Sequence, residues 1–383
     1  MQREAELLGN HRFILKYKPL AGELASFVAE QNRLKEKFKN KLPFFTQSQC
    51  LLTERAAEQC TAEAVANYKA TLMKGHKGLV LAGGLGIDEW ALAQYAEKIV
   101  SIDTDETLNR VVRYNYELLK ISNIERITDK AEDFITNTDI KFDYIYTDPD
   151  RRADDKRQIL LRDHQPDIIA LLPRLLEISN EVWIKCSPLY DIAMALQEVP
   201  GISQMYCISY KGEVKEMLLK VTRQGLPSPP VTCTDINNTT IEKTFSVSQQ
   251  NPEPADAIEG YFYEAGNTLV KTRLFNQYAA ELGLRSISQN IPFFCSDKVH
   301  ENFMGKCLQI NAVMPLNPKQ MKAWFKSNNI RQVNIKNRGT KTDTAQLLKA
   351  SGLKEGGNDF LFICPFNNKN LAVYCSPLPV SNL

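Results

Sequence analysis

The chain has 383 residues, which at roughly 100–200 residues per domain argues for two or three compact units. With 43% hydrophobic and 24% charged residues it can bury ordinary cores, so collagen, global disorder and a small disulfide scaffold are excluded. Lys+Arg 47 against Asp+Glu 45 leaves a net charge of +2, which excludes a chain that is basic throughout. By segment the balance is uneven: +4 over residues 1–50, −9 over 51–299 and +7 over 300–383. No apolar run reaches the ~18 residues of a membrane span, and the start, MQREAELLGNHRF, lacks the apolar stretch of a secretory signal. A soluble, cytoplasmic protein with no membrane partner is expected. The nine scattered cysteines show no C-x-x-C spacing and read as reduced thiols. The nearest approach to a metal cluster, Cys295, His300 and Cys307, lacks a fourth ligand, so no metal is expected.

In chain order, LASFVAEQNRLKEKFKNKL and SQCLLTERAAEQCTAEAVANYKATLM carry apolar residues at helical spacing and predict a helical module over 1–70. From Gly78 the pattern becomes short apolar runs alternating with helical stretches. GLVLAGG, KIVSID, ERITDK, FDYIYTD, EVWIKCS, ISQMYCISY and EMLLKVTR are the predicted strands; DEWALAQYAE, DETLNRVVRYNYELLK, AEDFIT, DIIALLPRLLEI and LYDIAMALQEV are the helices between them. This predicts an α/β, Rossmann-like domain over 71–225, its parallel sheet ending in an antiparallel edge hairpin at Lys211-Gly212. QGLPSPP marks a boundary. Beyond it an α+β connecting domain is expected over 226–299, with strands VTCTDI and TFSVSQ and a helix NTLVKTRLFNQYAAELGL. A small basic α+β domain follows over 300–383, built from CLQINAVM, NPKQMKAWFKSN, RQVNIKN, TDTAQLLKAS, FLFICPF and LAVYCS.

Chemistry concentrates at the strand ends of the α/β domain. Val80 to Asp88, VLAGGLGID, turns an apolar strand into a helix. Gly83, Gly84 and Gly86 let backbone approach a ligand, and the following helix start aims N–H groups at the same place. The dinucleotide fingerprint needs a small residue where Glu89 stands, and a carboxylate there would face a pyrophosphate, which argues against NAD. Asp103 ends the second strand, where a carboxylate holds a ribose diol; capping a helix is the other job for an acid there. Asp133, after the third strand, would sit at the pocket rim and accept a hydrogen bond from an adenine amino group. The fourth strand runs into Asp148-Pro149-Asp150-Arg151-Arg152. Asp148 would orient an amine or take its proton and the arginines would hold a phosphate, unless the segment is a solvated turn.

These residues resemble the class I S-adenosylmethionine-dependent methyltransferases, with GGLGID as motif I, Asp103 as motif II, the AED stretch as motif III and DPDRR as motif IV. More narrowly, EQCTAEAVANYKA, DPDRR, HQPDI, KCSPLYDI and GLKEGGNDFLF together are similar to the bacterial methyltransferase family with a THUMP-like C-terminal domain. The resemblance implies S-adenosyl-L-methionine as cofactor. It makes Gly83, Gly84 and Gly86 the methionine loop, Asp103 the ribose ligand, Asp133 the adenine ligand and Asp148 the acid on the catalytic face. Relatives begin motif I with an acid where Val80 stands, so the contact to the methionine amino group falls to Asp88 or a backbone carbonyl. Base-amino methyltransferases follow Asp/Asn-Pro with Pro and an aromatic; here Asp150 and Arg151 take those places, and stacking falls to Arg151 or an aromatic elsewhere.

The expected activity is methyl transfer to a base amino group of RNA, a tRNA or rRNA, with Asp148, Pro149 and Arg151 at the reacting amine. Arg152, Lys336 and Arg338 would hold the polyanion, and Trp324 and Phe325 are available to stack on unpaired bases. An enzyme of the same kind acting on a protein or a small molecule is one alternative, and two more stand beside it. One is a noncatalytic RNA-binding protein that retains the fold. The other is a pyrimidine C5 methyltransferase in which Cys186, its thiol made acidic by Lys185, adds to C6, whereas a strand cysteine otherwise serves packing.

Overall fold

The computed structural model describes residues 9–151 and 160–378. The chain divides into two compact units, Met1–Tyr210 with Lys215–Pro229, and Lys211–Val214 with Pro230–Leu383. None of the described helices is long and apolar enough to cross a membrane.

The first unit opens with helices α1 (Asn10–Ala21), α2 (Glu23–Phe38), α3 (Pro43–Gln47), α4 (Glu54–Gln59) and α5 (Glu63–Leu72). The alanine-rich stretch predicted as one helix is broken between α4 and α5, where Cys60 and Ala62 are extended. The break has a use: it swings Glu63 under α3, where its carboxylate accepts the Phe44 and Phe45 N–H groups, each at 2.9 Å. Two side-chain amides hold the intervening chain. Gln31 bonds the N–H and C=O of Leu52, both at 2.9 Å, and Asn115 bonds those of Leu51 at 2.8 and 2.9 Å. A primary amide presents one donor and one acceptor side by side, as a backbone strand would.

The sheet of this unit contains β1 (Lys77–Leu81), β2 (Lys98–Asp103), β3 (Ile124–Thr128), β4 (Phe142–Thr147), β5 (Ser179–Cys186), β6 (Ile202–Tyr210) and β7 (Glu213–Val221). Their order is β3-β2-β1-β4-β5-β7-β6. β1 to β5 pair in parallel and β7 lies antiparallel to β5, as the alternating pattern and the Lys211-Gly212 turn led one to expect. The connecting helices are α6 (Ile87–Leu92), α7 (Glu106–Leu118), α8 (Ala131–Asn137), α9 (Ile168–Ile178) and α10 (Ile192–Glu198). Reversal of strand order beside β1 places the carboxyl ends of β1, β2, β4 and β5 around one crevice, the usual ligand position in open α/β sheets.

The second unit holds the hairpin β8 (Val231–Ile236) and β9 (Thr240–Phe245). The latter starts earlier than TFSVSQ suggested, because the Asn237 N–H closes the turn onto the Thr239 carbonyl. The helix expected over NTLVKTRLFNQYAAELGL is two, α11 (Asn267–Thr272) and α12 (Phe275–Glu281), parted by Arg273 in the left-handed region. Its larger sheet runs β11-β12-β10-β13-β16-β15-β14, with β10 (Tyr261–Ala265), β11 (Arg285–Ser286), β12 (Phe293–Ser296), β13 (Gly305–Pro315), β14 (Gln332–Asn337), β15 (Lys354–Phe366) and β16 (Lys369–Pro377). Helices α13 (Pro318–Ser327) and α14 (Thr344–Ser351) link the last strands. FLFICPF and LAVYC are apolar at every position because both sheet faces are covered. Phe362, Cys364, Val373 and Cys375 enter one core, while the alternate residues Leu361, Ile363, Ala372 and Tyr374 enter the other.

Phe362 stacks on Phe262 at 4.2 Å and meets Phe293 edge-on at 5.3 Å, with all three rings shielded from solvent. Phe362→Ala removes the common partner and is expected to cost about 3–5 kcal/mol. A drop in the urea midpoint at unchanged m-value checks it; an unaltered midpoint contradicts the packing.

Candidate active site

The loop after β1 is held from below. Arg126, on β3, and Glu89, on the first turn of α6, have side chains wholly shielded from solvent and form an ion pair. Arg126 also donates to the Asn109 side chain and the Gly84 carbonyl, each at 2.5 Å, and the Tyr116 hydroxyl donates to Glu89 at 2.6 Å and to the Gly86 carbonyl at 2.8 Å. Burial opposes the guanidinium charge, but Glu89, Tyr116 and Asp103 outweigh it and raise its pKa. Glu89 therefore faces inward, not toward a bound pyrophosphate as its place in the sequence suggested. This base also explains two of the glycines. A Cβ at Gly83 would lie 2.5 Å from the Ser101 hydroxyl, and one at Gly86, where φ is +81°, would lie 2.3 Å from the Tyr116 hydroxyl. Gly84, at φ +53°, has open space where its Cβ would be, so its glycine answers to the backbone conformation and leaves that space to a ligand.

Asp103 stands at the tip of β2. Its Oδ2 accepts the Gly84 N–H at 2.8 Å and its Oδ1 accepts that of Asp105 at 3.0 Å. The helix-capping job falls instead to Asp105, which accepts the Leu108 N–H at 2.9 Å. Asp88 is seated among partners: Lys69 at 2.9 Å, the Thr61 hydroxyl at 2.7 Å and the Tyr146 hydroxyl at 3.1 Å. Lys69 is 2% exposed and pairs on its other side with the equally buried Glu216 of β7 at 3.0 Å. Burial alone would raise the Asp88 carboxyl, yet the ammonium groups of Lys69 and Lys185 outweigh it and keep its pKa below the usual carboxylate value. Glu216 is pushed up by its burial against the same two cations.

At the end of β4, Asp148 Oδ2 accepts from Lys185 Nζ at 2.5 Å. Burial works against the Lys185 charge, but Asp148, then Glu216 and Asp88, outweigh it and raise its pKa. Lys185 is thus committed to carboxylates rather than to making the neighbouring thiol acidic. The Cys186 thiol is pushed well above its ordinary value by burial and by Asp148, Glu198 and Glu216. That is the opposite of what an attacking thiolate requires, so the geometry does not favour the C5 route.

One cavity of about 750 Å³ unites these groups. Gly83, Gly84, Asp88 and Asp103 line one part of it, and Asp148, Pro149, His164, Lys185 and Cys186 another. Arg55, Gln59 and Cys60 of the α4 region and Lys215 complete the wall. Several sequence-predicted residues are not brought there. Gly86 lies under the loop, and Asp133 is exposed on the first turn of α8 and lines no part of the cavity. In the second unit, Lys336 pairs with the buried Glu264 at 2.5 Å, and Arg338 is exposed. Phe325 is buried in the α13/α14 core against Tyr374 and is not free to stack on bases, whereas Trp324 packs on the same ring and stays half-buried. The Arg151 side chain and Arg152 lie outside the described residues. Reading the residues one at a time missed Lys69, Glu216 and His164. Lys69 and Thr61 fell within EQCTAEAVANYKA and His164 within HQPDI, which carried the signal only as family motifs.

A family model described as THUMP domain-like matches residues 305–377, the segment β13 to β16. Two proteins from strains of Mycobacterium tuberculosis, both described as uncharacterized S-adenosylmethionine-dependent methyltransferases, are 23% identical over 293 residues, covering 74% of this chain and 77% of theirs. A crystal structure of a protein from Porphyromonas gingivalis W83, named as a methyltransferase, superposes with a TM-score of 0.86 at 26% identity, over 99% of this chain and 97% of that one. The chain is a methyltransferase of the S-adenosylmethionine-dependent kind by its likeness to these proteins, with a THUMP-like segment at its C-terminal end. For such an enzyme the polar base beneath motif I is structural, and its loss should be felt at the cofactor loop. Arg126→Met strands Glu89 without a counter-charge and is expected to cost about 3–5 kcal/mol. Urea unfolding measures it, and binding of S-adenosylhomocysteine should weaken in parallel; a variant as stable as the parent would disprove the coupling.

Proposed function

We propose that this enzyme transfers a methyl group from S-adenosyl-L-methionine to a base amino group of an RNA, with acceptor and cofactor meeting in the 750 Å³ cavity. The observation that carries the reading is that the glycine loop, Asp103 and the Asp148–Lys185 pair open into this same cavity. The residues present suit the cofactor. Asp103 would supply the carboxylate for the ribose, Gly84 would leave backbone bare for the methionine part, and Asp88, on the same stretch of wall, would meet the amino group. The adenine position is left to Thr104, Thr107 and Leu108, which line the cavity as Asp133 does not. When bound, the sulfonium supplies an already activated methyl group. The chain's own task is alignment. Asp148 Oδ2 is occupied by Lys185, while Oδ1 has no partner among the described residues, and together with the Pro149 carbonyl it would accept the hydrogens of an amine and aim its lone pair.

RNA is favoured over other acceptors by the THUMP-like match and by the +7 balance of residues 300–383. Lys319, Lys322 and Lys326 of α13, with Arg331, Lys349 and Lys354, are exposed on that domain. Phosphate neutralisation by such side chains makes affinity fall steeply with salt.

Calorimetric titration with S-adenosylhomocysteine should show binding by the native chain and a loss of about 10–100-fold for Asp103→Ala, the value of a hydrogen bond to a charged group. Asp148→Asn should keep that affinity and lower kcat by about 100-fold or more. Tritium from labelled cofactor should enter RNA isolated from a deletion strain, and nucleoside mass spectrometry of that strain and its parent identifies the base. Label found only in protein or small molecules would sink the RNA assignment. Replacing Lys322 and Lys326 together by Glu should weaken RNA binding and flatten its salt dependence; an unchanged slope would remove α13 from the interface.

A further inference from the structure

HQPDI begins just after the three-residue turn Leu161–Asp163. Two of its residues have evident structural work: Asp167 caps α9 by accepting the Ala170 N–H at 3.1 Å, and Ile168 is buried in the core. His164 has none of that kind. It is 4% exposed, both its ring nitrogens are buried, and neither has a hydrogen-bond partner among the described residues. An imidazole in its neutral form carries one N–H donor and one bare lone pair. Leaving both unmet in the interior is unfavourable. The same residue lines the cavity together with Asp148 and Pro149.

The residue is also firmly placed. Its backbone pairs with Arg151, three residues beyond Asp148, in a short antiparallel bridge. The turn before it is fastened by Glu198, whose carboxylate accepts the Leu161 N–H at 3.1 Å, the Arg162 N–H at 2.9 Å and the Tyr190 hydroxyl at 2.7 Å. A firmly held residue at the cavity wall, whose two ring nitrogens lie just beneath the surface and lack partners of their own, is arranged to meet a ligand.

We propose that His164 is a catalytic residue that contacts the acceptor nitrogen and takes the proton this nitrogen must lose. The inference rests on the amine-acceptor reading above. An amine that gains a methyl group becomes a cation with one hydrogen too many. Its N–H bond breaks, the electron pair stays on the acceptor nitrogen, and the proton forms a new N–H bond at the free imidazole nitrogen. The resulting imidazolium then releases the proton to solvent water. Asp148, held by Lys185, accepts a hydrogen bond and orients the amine; His164 receives the proton. The division accounts for two polar side chains at the acceptor end, one partnered and one not.

The test uses the full chain and His164→Gln, which keeps a polar side chain of similar length without a basic ring nitrogen. Extract from a strain lacking the protein is incubated with labelled cofactor and the native chain, and the labelled fraction is split by ribonuclease sensitivity. The variant is then assayed on whichever fraction takes label, so failure of the RNA reading still leaves His164 measurable. The expected result is a fall in kcat of about 100-fold or more, with KM for that fraction and affinity for S-adenosylhomocysteine within about threefold of the parent. Turnover above a third of the parent's would overturn the proposal. So would equal loss of kcat and of S-adenosylhomocysteine affinity, because a merely structural histidine disturbs the whole cavity. Absence of label in every fraction with the native chain would refute methyl transfer and the proposal with it. A binding readout separates these cases without turnover. Selective histidine labelling gives four imidazole signals at most, one per histidine, and the one missing in His164→Gln should shift when labelled-fraction acceptor is added to the S-adenosylhomocysteine complex. A signal that stays fixed while acceptor binds overturns contact.

Discussion

Arg126 and Glu89 are both wholly withdrawn from solvent, so each charge depends on the other and on the hydrogen bonds around it. That dependence sets the geometry of the cofactor side. Arg126 reaches from β3 under the loop to the Gly84 carbonyl, and Asp103 grips the N–H of the same residue from β2. The peptide units on either side of Gly84 are thereby fixed by two neighbouring strands. Gly83 and Gly86 are glycines because a side chain would collide with this polar floor, and Gly84 because the chain turns left-handed with space above it. A preformed loop spares the ligand the ordering cost that a mobile one would impose on binding.

A second buried network carries the constraint across the sheet. Lys69 of α5 sits between Asp88 on α6 and Glu216 on β7 and donates to the Tyr146 hydroxyl on β4 at 2.7 Å. The helical residues before the sheet thus complete the charge balance of the cavity, which α4 also helps to wall. Two ammonium groups, the buried Lys69 and the partly buried Lys185, answer Asp88, Asp148 and Glu216. Asp88 is held below the usual carboxylate value because these cations outweigh its burial, and Glu216 above it because burial outweighs them.

The parallel sheet was legible because alternation of short apolar runs with helical stretches has few solutions, and the motif residues at strand ends followed from it. Gly83, Gly84, Asp88, Asp103, Asp148 and Pro149 all reach one cavity. What was not legible depended on pairs far apart in the chain. Glu89 reads as an obstacle to a phosphate until Arg126, 37 residues on, is seen to hold it. Lys185 reads as an activator of Cys186 until its partner is found to be Asp148. Short helices misled in another way. DEWALAQYAE promised a long helix with a dipole aimed at the ligand, whereas α6 is Ile87–Leu92, barely more than a turn, so backbone and side chains of the loop bear the weight. Asp133 was placed by motif order alone, and the turn of α8 leaves it exposed.

The split of charge along the chain acquires a sharper meaning from where the aromatic residues went. In the THUMP-like unit Trp324, Phe325 and Tyr374 pack on one another at the α13/α14 core, and Asn334 and Asn337 spend their side-chain amides on backbone carbonyls. What Lys322, Lys326, Arg331 and their neighbours offer a polyanion on its surface is charge. Contacts to phosphate position a nucleic acid and carry no sequence information of their own. On the RNA reading, these phosphate contacts would hold the strand without choosing the nucleotide. The choice then falls on the cavity in the acidic segment, where the acceptor end offers the Asp148 carboxylate and the imidazole of His164 to recognise a base.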